Sequence, residues 1–171
     1  MESIGVTYFD KTSDKDPEGI TKKTLSLARK RAKDLGIEHF VVASSTGLVA
    51  RMALVALAGR KVVVVGEDRS WYDAGLIRDL QSNKVMILFS REVSYTYPED
   101  VQAALRRFCE GAKVCPEVVM LAADKEAVPP GTEVMAIAGT GSGADTAMVI
   151  VSARSRDFGE LRIRELVCKP R

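Results

Sequence analysis

Apolar and polar residues come in blocks along this chain, and the block length alternates between strand and helix. Ile4 to Phe9 predicts a short first strand. A polar stretch follows from Asp10 to Gly19, with acids and lysines around Pro17. Thr21 to Leu35 predicts a helix, because Leu25, Leu27, Ala28, Ala32 and Leu35 largely recur at helical spacing and Gly36 stops the run. Phe40 to Ala43 is a short buried-type strand, and Leu48 to Leu57 a buried helix ending before Gly59. Lys61 to Val65 carries consecutive valines, as a strand covered on both faces would. Asp73 to Gln81 predicts a helix weakened by Gly75, and Val85 to Phe89 another strand. Pro98 to Glu110 predicts a helix with Pro98 in its first turn. Pro116 and the Ala122-Ala123 pair favour a further helix beginning near Cys115 within Val114 to Lys125. Glu133 to Ala138, Thr146 to Ser152 and Leu161 to Val167 close the chain as strands, the last on an edge or in a hairpin.

This alternation predicts one α/β domain over residues 1–171. Its architecture is a three-layer α/β/α sandwich with a mostly parallel sheet. The C-terminal third breaks the alternation, so an antiparallel edge is expected there.

Two loops break the apolar pattern with small hydroxyl residues. Ser44-Ser45-Thr46-Gly47 separates a buried strand from a helix. A helix amino terminus supplies free N–H groups and a favourable dipole for anions, and the hydroxyls add donors. The plainer reading is that one of these hydroxyls caps the helix. Gly139-Thr140-Gly141-Ser142-Gly143-Ala144-Asp145-Thr146 lies between two strands. It fails the dinucleotide fingerprint, which requires G-x-G-x-x-G leading into a helix, and it lacks the Lys-Ser/Thr ending of a Walker A loop. Ligand binding through backbone N–H groups and a tight turn both fit it. Asp145 could cap that turn, accept from a ligand hydroxyl or act as a base.

Composition narrows the partners. Lys+Arg total 25 against 23 Asp+Glu, for a net charge of +2. That balance argues against a dedicated nucleic-acid binder. No apolar run is long enough to span a bilayer, and the amino terminus lacks a signal pattern, so a cytoplasmic protein is expected. Cys109, Cys115 and Cys168 form no C-x-x-C pair and are expected to be reduced core thiols. His39, the only histidine, reads as structural, and no cluster has metal-ligand spacing. Trp71, Tyr72, Tyr95 and Tyr97 fall in loops. There they could stack on a ring, line a subunit interface or cover a sheet edge.

Several segments together resemble the stand-alone family related to the C-terminal α/β domain of pyruvate kinase. They are Val6 to Asp10, Thr24 to Gly36, Val41 to Gly47, Lys113-Val114-Cys115 with Met120 to Asp124, Gly143 to Ala147 and Glu165 to Arg171. The phosphate loop of that domain follows T-x-T-G-x-S/T-A. Ser44-Ser45-Thr46-Gly47-Leu48-Val49-Ala50 is similar to it, with Ser44 and Val49 as departures. The resemblance implies a phosphate-bearing ligand, flavin mononucleotide (FMN) or a sugar phosphate. It would be held by Ser44, Ser45, Thr46 and Gly47, with the loop Gly139 to Thr146 closing over it. It also implies subunit contacts, hence a homo-oligomer. Pyruvate kinase activity is not expected, because its catalytic barrel has no counterpart here. A flavin-dependent oxidoreductase and an interaction module without ligand are the alternatives. The segment from Gly66 to Tyr97 departs from the family pattern, so no contacts are carried over there.

Overall fold

The computed structural model describes residues 4–171. A seven-stranded sheet runs through it in the order β1-β7-β6-β5-β2-β3-β4. The strands are β1 (Thr7–Phe9), β2 (His39–Ala43), β3 (Lys61–Gly66), β4 (Met86–Phe89), β5 (Glu133–Ala138), β6 (Thr146–Val151) and β7 (Arg162–Pro170). The helices are α1 (Pro17–Leu35), α2 (Leu48–Ala56), α3 (Ala74–Ser82), α4 (Glu99–Arg106) and α5 (Glu110–Asp124). Pairings β2–β3, β2–β5, β3–β4 and β1–β7 are parallel. β6 runs antiparallel to both its neighbours, β5 and β7. The sheet is therefore mostly parallel, with its antiparallel part on the C-terminal side.

Helices cover both faces, and each face has its own core. On one, Leu25 and Ala28 of α1, Val49 and Ala53 of α2 and Leu76 and Leu80 of α3 pack on Phe40, Val42, Val64 and Ile137. On the other, Cys115, Val118, Val119 and Ala122 of α5 pack on Val41, Val63, Ala136 and Ile150. Alternate residues of one strand thus serve opposite cores. Both faces of β3 and β5 are buried, which is why their sequences read as unbroken apolar runs.

Element boundaries differ from the sequence expectation in four places, each with a local cause. Helix α1 starts at Pro17, not Thr21. Asp16 caps it, its Oδ1 accepting from the Gly19 N–H at 3.0 Å, and Pro17 occupies the first turn. β1 is confined to Thr7–Phe9, the part that pairs with β7. The single helix expected over 98–110 stops at Arg106, and α5 begins at Glu110. A Cβ at Gly111 would sit 2.4 Å from the Thr146 Cβ, so glycine there lets the first turn of α5 press against β6. Pro116 consequently lies inside α5 rather than at its start. Finally, β7 continues to Pro170 because β1 pairs with its last residues.

One ion pair ties α1 to the antiparallel side of the sheet. Arg31 Nε and Nη2 each donate to Glu165 on β7 at 2.7 Å. The two side chains are only 20% and 24% exposed. Hydrogen bonding from Arg31 holds the Glu165 carboxyl below its usual range. The depressed folded-state pKa means that the stabilisation is complete above the unfolded value of 4.5 and disappears as pH falls through the folded one. Glu165→Gln is expected to cost roughly 1–2 kcal/mol near neutrality. In urea titrations the gap from wild type should close once the pH is taken well below 4. A gap that persists in acid would show that the loss is packing, not charge.

Candidate functional site

β2 and β5 lie side by side and parallel, so their carboxyl ends, Ala43 and Ala138, emerge at the same rim. The chain leaves β2 into α2 on one face. It reaches β5 from α5 on the other. α5 precedes β5 and runs back across the sheet, so its amino-terminal half sits at this rim. A crevice opens where the connections diverge, the position at which open α/β sheets bind ligands.

Two clefts that share Ala43, Ser44, Ser45 and Val114 in their linings occupy the crevice. The outer one, about 420 Å³, is lined by Ser44, Ser45, Glu67, Arg91, Tyr95, Lys113 and Glu117, among others. The inner one, about 190 Å³, is lined by Ser44, Ser45, Val49, Glu110, Val114, Gly139, Gly141, Ser142 and Gly143. The two hydroxyl-rich loops singled out from sequence therefore share one cavity, although they lie about ninety residues apart.

The first loop divides its work. Ser44 is buried and fully engaged. Its N–H donates to the Val65 carbonyl at 3.0 Å and its Oγ accepts from the Ala50 N–H at 3.1 Å. Its carbonyl accepts from the Tyr72 hydroxyl. Gly47 holds the N-cap position, and Ser44 lends a side-chain acceptor to the first turn of α2, a structural role close to the plainer of its two sequence readings. Gly47 has φ +93° and lies against the Leu76 side chain, 2.6 Å from where its Cβ would be. Glycine is required there by both conformation and space. The N–H groups of Ser45, Thr46, Gly47, Leu48 and Val49 have no acceptor among the described residues. Unpaired amides at the start of a helix are groups suited to receiving an anion. Ser45 lines both clefts; the Thr46 side chain is exposed and lines neither.

The glycine loop is held from behind by Asp145. This carboxylate is 0% exposed. Oδ2 accepts from the Ser13 N–H at 2.9 Å and lies 3.0 Å from the Ser13 Oγ and 3.3 Å from the Thr140 N. Oδ1 accepts from the Thr146 hydroxyl at 2.8 Å. Ser13 Oγ also accepts from the Thr140 N–H at 3.0 Å. Ala144 is fastened to α1: its N–H donates to Thr21 Oγ1 at 2.8 Å and its carbonyl accepts from Thr24 Oγ1 at 3.1 Å. Thr140, Ala144, Asp145 and Thr146 are therefore engaged with the protein itself, and none lines either cleft. Of the three roles open to Asp145, turn anchor is the one its bonds describe. At Gly139 a Cβ would stand 2.5 Å from the Gly143 carbonyl oxygen, so this glycine serves closure of the loop on itself. The N–H groups of Gly141, Ser142 and Gly143 have no acceptor among the described residues.

A constellation absent from the sequence reading completes the outer cleft. Lys113 is only 8% exposed. Its Nζ donates to Glu117 Oε2 at 2.7 Å, and the Tyr95 hydroxyl donates to Glu117 Oε1 at 2.5 Å. Burial, and then the bond to Glu117, push the Tyr95 pKa far above the usual phenol range. Burial does the same to Tyr97, whose hydroxyl donates to the Lys113 carbonyl at 3.0 Å. An ammonium offers three protons, and one has an acceptor here. The i,i+4 spacing of Lys113 and Glu117 was visible in sequence, but Lys before Glu is the weaker order for helix support. Tyr95 comes from a loop and could not be placed there in advance. Arg91 rims the cleft, held by Asp68 at 2.7 Å and Glu67 at 3.2 Å, with its guanidinium 5.0 Å from the Trp71 ring centre.

The cysteines do not enter the crevice. Burial raises the thiol pKa of Cys115 well above normal and that of Cys168 to about 12, so both are inert at neutral pH. His39 sits at the opposite, amino end of β2, where burial and nearby Lys61 lower its pKa.

A family model described as pyruvate kinase, alpha/beta domain, matches residues 22–150, three-quarters of the chain. The chain belongs to the pyruvate kinase alpha/beta domain family. The family match takes in both loops of the crevice and the Lys113–Glu117 pair. Among solved structures, similar chains include a Cryptosporidium parvum pyruvate kinase at 14% identity and TM-score 0.49, covering 81% of this chain and 24% of that one. A second pyruvate kinase structure from the same organism gives 13% and 0.43, covering 70% and 21%. A Cryptosporidium parvum pyruvate kinase in complex with ADP gives 14% and 0.46, covering 89% and 24%. The chain spans about a quarter of the length of those enzymes. Among the described residues, no helix is long and apolar enough to cross a membrane.

Asp145→Ala would strand several donors around Ser13 and Thr140 at once. The expected loss is about 2–4 kcal/mol in urea unfolding, with faster amide exchange at residues 13 and 140. Unchanged exchange at both residues would remove Asp145 from the anchoring role.

Proposed function

We propose that this domain binds a phosphate-bearing, hydroxyl-rich small molecule of the sugar phosphate class in the crevice between β2 and β5. The observation that carries this reading is the run of unpaired amides from Ser45 to Val49, whose two end residues line the cavity shared with the glycine loop. The phosphate would lie on these amides, where the α2 dipole favours negative charge. The Ser45 hydroxyl and the amides of Gly141 to Gly143 would take its remaining oxygens.

Lys113 and Glu117 then face the non-phosphate part of the ligand. A neutralised ammonium–carboxylate pair 2.7 Å apart both donates and accepts, as hydroxyl groups require. Glu67 adds another acceptor in the same wall. FMN shares the phosphate, and its ring would have to rest on Tyr95, the one aromatic lining the outer cleft. The polar wall favours the sugar phosphate over that flat apolar ring. An oxidoreductase reading depends on FMN, because the redox chemistry would be the flavin's own.

Thermal unfolding with inorganic phosphate, glucose 6-phosphate or FMN tests the proposal. At about one hundred times Kd, a ligand confined to the folded state adds about 2.7 kcal/mol. For a chain of this size that corresponds to a rise of roughly 5–10 °C. Glucose 6-phosphate should raise Tm more than phosphate does, and Lys113→Gln should reduce its affinity about tenfold or more. A larger rise with FMN would move the reading to a flavoprotein. No rise with any of the three would leave an interaction module.

A further inference from the structure

A second groove lies outside the crevice, between α1 and α2. It is about 590 Å³ and is lined by Lys22, Leu25, Ser26, Arg29, Lys30, Lys33, Ala56 and Arg60. None of these is a carboxylate and none belongs to the walls of the crevice. Among the described residues, the side chains of Lys22, Arg29, Lys30, Lys33 and Arg60 have no ion-pair or hydrogen-bond partner. Elsewhere Arg31, Arg51, Lys61, Arg69, Arg91, Arg106, Lys113, Arg154 and Arg164 each have an acid within reach; what sets this groove apart is that its cations share one lining with no carboxylate. Glu38, which feels the charge of Arg60, is bound to Lys61 at 3.0 Å.

The four cations on α1 fall at i, i+7, i+8 and i+11, which places them along one face of the helix. From Lys22 to Lys33 this row is about 16 Å long at the helical rise. One strand of a nucleic-acid duplex advances about 3.4 Å per phosphate, so the row spans about five phosphates. The four cations of this row, with Arg60 beside them in the lining, set five positive charges against about five phosphates. The groove lining holds no aromatic ring to stack a base and no amide side chain to read one. Single-strand binding therefore lacks its usual platform, and sequence readout lacks its donors and acceptors.

We propose that the α1–α2 groove is a binding surface for the phosphate backbone of a nucleic-acid duplex, independent of sequence and separate from the crevice. Net charge hides this surface because it averages the row of free cations with acids placed elsewhere.

Fluorescence anisotropy of a labelled random-sequence duplex with the full chain tests the assignment. Binding is expected at about 10⁻⁴–10⁻⁶ M near physiological salt, with a slope of log K against log salt of about −3 to −4.5. The triple variant Arg29→Glu/Lys30→Glu/Lys33→Glu should weaken binding at least tenfold. It should also flatten the slope. The charge-matched control Arg78→Glu/Arg107→Glu/Lys125→Glu should retain wild-type affinity, and both variants should keep the wild-type circular dichroism melt. Equal losses in the two triple variants would overturn the proposal, as would a slope shallower than about −1. Poly-glutamate or anionic vesicles bound more tightly than the duplex would reassign the groove and overturn it. So would displacement of the duplex by saturating glucose 6-phosphate or phosphate, which would place the contact in the crevice.

Discussion

The parallel pairing of β2 with β5 is the constraint from which the site follows. Residues His39 to Val42 align with Val134 to Ile137, strands almost one hundred positions apart in the chain. The pairing puts two strand ends at one rim, while α2 and α5 leave it on opposite faces. A crevice between divergent connections is then unavoidable. Its walls are the start of α2, the amino-terminal half of α5 and the turn after β5. Burial on both faces holds the pairing in place, since a one-residue slip would exchange the residues of the two cores.

Asp145 turns that crevice from an opening into a defined shape. It ties the glycine loop to Ser13, and the Thr21 and Thr24 hydroxyls tie Ala144 to α1. The loop is fixed on its inner side, and its amides at 141–143 remain available on the other. On the opposite wall Ser44 is occupied with the Ala50 N–H, and the amides from Ser45 to Val49 stay without an acceptor among the described residues. Preorganisation of this kind lowers the ordering cost of binding.

Much of this was legible in the sequence, and the reasons are local. Apolar runs at β3 and β5 announced strands buried on both faces, and glycine with hydroxyl residues marked both loops. The loops' meeting in one cavity follows from strand order, which periodicity does not encode. The jobs of individual loop residues were hidden for a different reason. Asp145 stayed open between turn cap, ligand contact and base because its partner, Ser13, lies 132 residues away. Gly139 looked like a place for ligand to approach, yet it is the loop's own backbone that approaches. The Lys113–Glu117–Tyr95 group went unread because it joins a helix to a loop segment outside the family pattern. Asp16-Pro17, by contrast, was a readable cap and first turn inside a stretch taken as polar loop.

The central claim is that an anion rests on the amides at the start of α2. Titration of ¹⁵N-labelled protein with glucose 6-phosphate, followed by amide chemical shifts, addresses it residue by residue. The largest saturable shifts should fall at Ser45 to Val49, with a second set at Gly141 to Gly143. Shifts confined to α1 and Arg60, or none at saturating ligand, would contradict the account.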